Sequence, residues 1–212
     1  MLIESRAVPP FMKNAFVLAD ETTREGVLID PGDEVDDVLE VIVEQRLDIR
    51  YILLTHAHLD HVTGVGRAKA ALKCPVILHA DDRPLYDAVV QQGIAFGFRV
   101  EPQPAPDRYY EPDEVFRFGR YEIRWQHTPG HSPGGVVLEV RGPDIGQPTL
   151  IVGDSLFAGS IGRTDLPGGH HATLIRSIRD VLFAYGDDAV VHPGHGDSTT
   201  IGRERRTNPF LV

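Results

Sequence analysis

The chain of 212 residues is 42% hydrophobic and 25% charged, the balance of an ordinary globular protein. Its formal net charge of −10 disfavours non-specific binding to nucleic acid or to an anionic membrane surface. One cysteine, Cys74, rules out an intrachain disulfide, and no apolar run is long enough to span a bilayer. Charge within the opening Met-Leu-Ile-Glu-Ser-Arg argues against a secretory leader, so a cytoplasmic location is expected. The length suits one large domain, taken as 1–212.

In chain order, Ala15–Ala19 and Gly26–Asp30 are apolar runs separated by a polar stretch and read as a hairpin. Pro31-Gly32 ends the second run, and Val35, Val38, Leu39, Ile42 and Val43 then recur at helical spacing. Tyr51–Leu54 is a buried strand running straight into a histidine-rich segment. Val62–Leu72 reads as a helix in spite of Gly64 and Gly66, whose presence points to close backbone approach, either to metal ligands or to a neighbouring strand. Cys74 leads into the strand Val76–Leu78 and reads as a small core residue. A helix is expected over Asp81–Gln92, then a long surface loop, a candidate lid, over Gly93–Pro112. Strands resume at Val115–Phe118, Tyr121–Trp125, Gly135–Val140 and Thr149–Val152. A helix over Thr173–Phe183, a strand at Ala189–Val191 and a short helix over Thr200–Arg206 complete the pattern. Strands followed by helices in each half predict a four-layer αββα sandwich, two packed sheets with helices outside.

The chemistry is concentrated at the ends of these strands. Three histidines and an aspartate fall within His56-Ala-His58-Leu-Asp60-His61, followed by His131 in Thr-Pro-Gly-His, Asp154 in Val-Gly-Asp-Ser and His195 in Pro-Gly-His. Imidazole and carboxylate are ligands of borderline and hard divalent metals, and seven of them exceed the needs of one tetrahedral ion. Two ions roughly 3.5–4 Å apart, sharing a carboxylate, would use all seven. Each segment follows an apolar strand, so residues distant in sequence can meet at one edge of the sandwich, on loops held by a rigid frame. Pro129-Gly130 and Pro193-Gly194 supply turns that can aim the imidazoles of His131 and His195 inward. Of the other histidines, His127 and His192 read as hydrogen-bond partners in loops, His79 as structural, and His170 and His171 as capping or exposed. The Arg203–Arg206 run reads as a solvated helix face.

These residues together, His56-x-His58-x-Asp60-His61, His131, Asp154 and His195, resemble the metallo-β-lactamase superfamily. Gly153–Gly168 and the tail Thr207–Leu211 look like the short, single-domain bacterial members of its glyoxalase II branch. The resemblance implies a hydrolase of S-D-lactoylglutathione or a related small thioester, with two divalent metal ions, zinc with iron or manganese as alternatives. It places one ion on His56, His58 and His131 and the other on Asp60, His61 and His195, with Asp154 bridging. Asp60 is expected to take part in catalysis as well, orienting the attacking water or accepting its proton. Where larger members carry a Lys and a Tyr for glutathione, this chain reads Arg163-Thr164-Asp165, and no counterpart of their C-terminal helical domain is expected. Arg163 is therefore the candidate for holding substrate, with His171 a second candidate at the mouth. A weak hold on glutathione follows. Persulfide dioxygenases of the same superfamily offer the alternative reading, since they share the Gly-Arg-Thr-Asp run of 162–165 and use one iron on the counterparts of His56, His131 and Asp154.

Overall fold

Strand alternation in this chain sorts its apolar side chains into three separate interfaces, and the layers follow from that sorting. The computed structural model describes residues 1–212. One sheet has six strands in the order β1 (Leu2–Arg6), β2 (Ala15–Ala19), β3 (Glu25–Ile29), β4 (Asp48–Leu53), β5 (Val76–Leu78) and β6 (Arg108–Tyr109). β1, β2 and β3 pair antiparallel, whereas β3, β4, β5 and β6 pair parallel. The second sheet runs in the order β14-β13-β10-β9-β8-β7. Its strands are β7 (Val115–Phe118), β8 (Tyr121–His127), β9 (Val136–Arg141), β10 (Thr149–Ile151), β13 (Val190–His192) and β14 (Thr199–Thr200). A hairpin of β11 (Leu156–Phe157) and β12 (Ser160–Ile161) stands apart.

Because successive strand residues face opposite sides, Phe16, Leu18, Val27, Ile29, Leu53 and Ile77 point to the second sheet. There they meet Phe116, Phe118, Ile123, Leu138 and Ile151. Their neighbours Ala15, Val17, Leu28, Ile52, Leu54, Val76 and Leu78 point outward to helices α1 (Val35–Glu44) and α3 (Val65–Leu72). On the far side, Val137, Leu150, Val152 and Val191 pack beneath α6 (His171–Asp180) and α7 (Ile201–Thr207). The result is the four-layer αββα sandwich. No helix is long and apolar enough to cross a membrane.

Several local expectations need correction. Val43 is 75% exposed and Val41 takes its place on the buried face of α1. The helix expected from Val62 is two, α2 (Leu59–Val62) and α3, joined at Gly64, where a Cβ would stand 2.3 Å from the carbonyl oxygen of Gly32. That close approach is to the Pro31-Gly32 loop and to no strand. The helix expected over Asp81–Gln92 is a 3₁₀ turn (Ala80–Asp82) followed by α4 (Arg83–Asp87) and α5 (Val89–Phe96), broken at Ala88. α5 continues through Gly93, where Val100 packs into the space a side chain would fill, and β6 claims Arg108–Tyr109. The expected lid is thus only the stretch between α5 and β6. The edge strand β1 and the β11–β12 hairpin were not anticipated; both are short and half-exposed, with weak apolar alternation.

Candidate metal centre

All seven predicted ligands converge. β4 delivers His56, α2 opens on His58 and carries Asp60 and His61, and the loops after β8, β10 and β13 bring His131, Asp154 and His195. Each is thus held at the carboxyl end of a strand whose own side chains are locked in the core. His58 Nδ1 lies 2.8 Å from His131 Nε2, which lies 3.2 Å from His56 Nε2. On the other side, His195 Nε2 is 3.0 Å and His61 Nε2 3.7 Å from Asp60 Oδ2. Asp154 stands between the groups, with Oδ1 3.3 Å from His61 Nε2 and Oδ2 3.5 Å from both His131 Nε2 and His195 Nε2. His56, His58 and His131 form one cluster close enough to hold an ion, and Asp60, His61 and His195 another.

Whether these groups suit cations can be judged from what they lack. Buried polar atoms ordinarily find hydrogen-bond partners, yet His61 Nε2 and Asp154 Oδ1 have none although both are buried and 3.3 Å apart. Imidazole nitrogens facing each other at hydrogen-bond distance need a shared proton or a cation. The set fits a binuclear centre.

The far side of three of the five rings explains their tautomer. His61 Nδ1 donates to Asp30 Oδ2 at 2.9 Å, His131 Nδ1 to the Arg163 carbonyl at 2.8 Å and His195 Nδ1 to the Phe11 carbonyl at 3.1 Å. With Nδ1–H so engaged, the Nε2 lone pairs are left for a ligand. Asp30 also accepts from Thr55 N (2.7 Å) and Thr55 Oγ1 (2.6 Å), and Thr55 Oγ1 in turn lies 3.1 Å from His56 Nδ1. Asp82, fully buried, accepts from Ala57 N, Ser132 Oγ and Gly134 N and so ties the His56–His58 loop to the His131 turn. Burial pushes its carboxyl up. Lys13 is buried against Glu34 and the Asp30 carbonyl, beside the bridge between Lys13 and His195. Gly194 is required where it stands, since a Cβ would lie 2.2 Å from Asp154 Oδ1.

The electrostatics divide the cluster. Burial holds His56 well below its ordinary value and His58 down at about 3. Burial also acts on His61, but the carboxylates of Asp60, Asp154 and Asp30 outweigh it and raise that ring to about 10. Asp154 is held below the usual carboxylate range against its burial by His61, His131 and His195. The carboxylate side of the centre therefore calls for positive charge.

A cleft of about 170 Å³ opens over the cluster, lined by His58, Asp60, His131, Asp154 and His195 together with Phe11, Leu59, Gln92, Phe96, Arg163 and Leu166. Arg163 is where the sequence put it, at the mouth, but its guanidinium donates to both oxygens of Asp165 at 2.7 Å. His171 opens α6, is exposed and does not line the cleft, while His170 caps the same helix. His127 is not a ligand: Nε2 bonds the Pro133 carbonyl at 2.8 Å, within the turn that carries His131, and its ring stacks on His79. His192 pairs with Ser198. Asp30, Asp82 and Phe11 escaped the sequence reading. Only Asp30, ending an apolar strand before Pro-Gly, carried a visible signal.

Comparison with known proteins agrees with this geometry. A Haemophilus influenzae protein named hydroxyacylglutathione hydrolase GloC is 35% identical over 213 residues, covering 100% of this chain and 98% of that one. The solved structure of TTHA1623 in a di-iron-bound form is 41% identical, covering 98% of this chain and 100% of that one, with a TM-score of 0.84. BLEG-1, a B3 metallo-beta-lactamase, is 33% identical with a TM-score of 0.89 and 100% of both chains covered. ETHE1 from Myxococcus xanthus is 26% identical with a TM-score of 0.80, covering 99% of this chain and 84% of that one. The family model of the metallo-beta-lactamase superfamily matches residues 8–195, a span that holds every candidate ligand from His56 to His195, and the chain belongs to that superfamily.

Proposed function

We propose that this protein is a binuclear metal-dependent hydrolase of small acyl thioesters such as S-D-lactoylglutathione. The observation that carries the reading is the completeness of the ligand set: two clusters with Asp154 between them, and an open cleft over both. His56, His58 and His131 would hold one cation, and Asp60, His61 and His195 the other. When bound, such cations supply Lewis acidity, which lowers the pKa of water from 15.7 toward about 7 and polarises a carbonyl oxygen. The chain's own contribution is to place and to move protons. Asp60, partly open to the cleft and 3.0 Å from His195 Nε2, is placed to orient the attacking water and accept its proton. As the new C–O bond forms and the C–S bond breaks, that proton ends on the departing thiolate, giving a carboxylic acid and a thiol. A thiolate leaves without a strong acid, and the cleft holds no separate acid beyond the ligands.

The similarity to GloC supports the thioester class, and the di-iron form of TTHA1623 supports the two-metal count. The cleft has one guanidinium, Arg163, already engaged by Asp165, so a glutathione carboxylate would be held weakly. The run Gly162–Asp165 and the similarity to ETHE1 keep a sulfur oxygenase as the second reading. Metal analysis combined with thioester cleavage and oxygen-uptake assays decides between them. Two metals per active chain with oxygen-independent release of thiol is the expected result. One iron per active chain, with oxygen consumption on glutathione persulfide and no thioester cleavage, overturns it.

A further inference from the structure

The wall of the metal cleft is more apolar than ligation requires. Phe11, Leu59, Phe96 and Leu166 face the same 170 Å³ hollow as the ligands. A second hollow of about 300 Å³ adjoins it across Phe11 and Leu59, which line both, and is continued by Phe98 and Val100. The Phe11 and Phe98 rings lie 4.9 Å apart at 57°. Phe96 and Phe98, which line these hollows, are themselves 42% and 38% exposed, two large aromatic side chains that the molecule leaves open to solvent at the cleft. Scattered exposed apolar residues need no explanation, but a patch contiguous with a cleft marks a ligand surface.

Charge narrows the ligand. Arg163 in the first hollow is bonded at both ends to Asp165, and Arg99 in the second stands 3.5 Å from Glu101 with Asp33 on the same wall. The second hollow therefore carries two carboxylates against one guanidinium and offers an anionic group no unpaired cation. An uncharged chain fits where a dianionic one does not. Resting on the thioesterase reading, we infer that the enzyme selects thioesters with an apolar acyl chain, seated from the Asp60–His195 edge past Phe11 and Leu59 to Phe98. Gly97, left-handed at the end of α5 with nothing near its Cα hydrogens, lets the chain reverse so that Phe96 lines one hollow and Phe98 the other.

The test uses the metal-loaded protein and a series of straight-chain N-acetylcysteamine thioesters from acetyl to decanoyl, with thiol release as readout. Each methylene that enters the apolar hollow should raise kcat/KM by about fourfold, until the chain passes Phe98 and the rise stops. Phe98→Ala should lower the octanoyl-to-acetyl ratio at least fivefold, and Val43→Ser, on the exposed face of α1, should leave it unchanged. A parallel series of non-hydrolysable S-alkyl thioethers, titrated calorimetrically, should bind more tightly with length and with a negative heat-capacity change. Good hydrolysis with no dependence on chain length overturns the inference while the thioesterase reading stands. If no thioester is cleaved, that reading fails, and length-independent binding of the thioethers overturns the inference by itself. A Phe98→Ala protein that changes its sedimentation but not its chain-length ratio assigns the patch to a second copy of this chain, which also overturns it.

Discussion

Replacing Asp30 by Asn changes one atom and should disable half of the metal centre. Asp30 Oδ1 accepts from Thr55 N at 2.7 Å, while Oδ2 accepts from Thr55 Oγ1 at 2.6 Å and His61 Nδ1 at 2.9 Å. In the amide, the remaining oxygen must face the Thr55 backbone N–H, so the NH₂ group takes the place of Oδ2. Its hydrogen then points at His61 Nδ1, which must give up its proton, and the ring carries the proton on Nε2 instead. A protonated Nε2 has no lone pair for a cation. Loss of such an orienting partner costs about ten- to a hundredfold in metal affinity, which corresponds to about 1.4–2.8 kcal/mol. Folding of the metal-free protein should lose far less than on truncation, because the Thr55 hydroxyl can turn and the hydrogen bonds are reversed, so that only one of the three carboxylate charges around the His61 ring is given up. Asp30→Ala is the contrast: three buried donors lose their acceptor, at about 1–3 kcal/mol each, and the melting temperature should fall by about 10 °C or more. Elemental analysis after dialysis, with calorimetry in chelator, separates the two. We expect Asp30→Asn to retain about one metal per chain, to lose most turnover, and to melt within about 4 °C of the parent when metal-free. Two tightly held metals and full turnover in Asp30→Asn would refute the assignment of the His61 tautomer to Asp30.

Asp154→Ala should disturb both ions and His195→Ala chiefly the one shared with Asp60 and His61, read as metal per chain after dialysis. Arg163→Ala should raise KM for S-D-lactoylglutathione more than it lowers kcat, because its bidentate bond to Asp165 leaves it only uniform binding to offer; an unchanged KM assigns Arg163 to structure. Asp20, buried, is held below the ordinary carboxylate range first by the Arg120 side chain, so it contributes stability above about pH 4 that is lost as pH falls further. Melting curves at pH 7 and pH 3 should show a smaller acid loss for Arg120→Ala than for the parent. Burial raises the Cys74 thiol to about 11, so the folded protein should resist a disulfide reagent at pH 8 and react at once in guanidinium, leaving thiol-release assays free of background.

The legible part of this molecule is the part whose chemistry dictates residue type. A metal ligand must be imidazole or carboxylate, and a strand segment buried on both faces is mostly apolar, so His56 to His195, β2, β5, most of β3 and β9 and the last residues of β4 stand out in the chain. β1 and the β11–β12 hairpin do not, because short half-exposed strands tolerate mixed residues. The helix break at Gly64 depends on a partner distant in sequence, the Pro31-Gly32 loop, and local periodicity runs straight across it.

The groups that aim the ligands were hidden for a different reason. An imidazole N–H needs only an oxygen, and this protein supplies a carboxylate for His61, but backbone carbonyls of Phe11 and Arg163 for His195 and His131. Any residue can offer a carbonyl as acceptor, so no residue type records the role. The consequence is physical as well as diagnostic. His195 is positioned by the backbone of the same residue whose ring walls the cleft, so ligand geometry and cleft shape are coupled through Phe11. A substitution that only trims the Phe11 side chain leaves the carbonyl in place and should spare metal content. A substitution that bends the 10–13 segment, such as Lys13→Met with Glu34 left buried and unpaired, moves the carbonyl and should cost the ion shared with Asp60 and His61. Comparing Phe11→Leu with Lys13→Met by metal content therefore separates wall from scaffold: equal losses in the two would mean that the ring, and not the backbone, sets the position of His195.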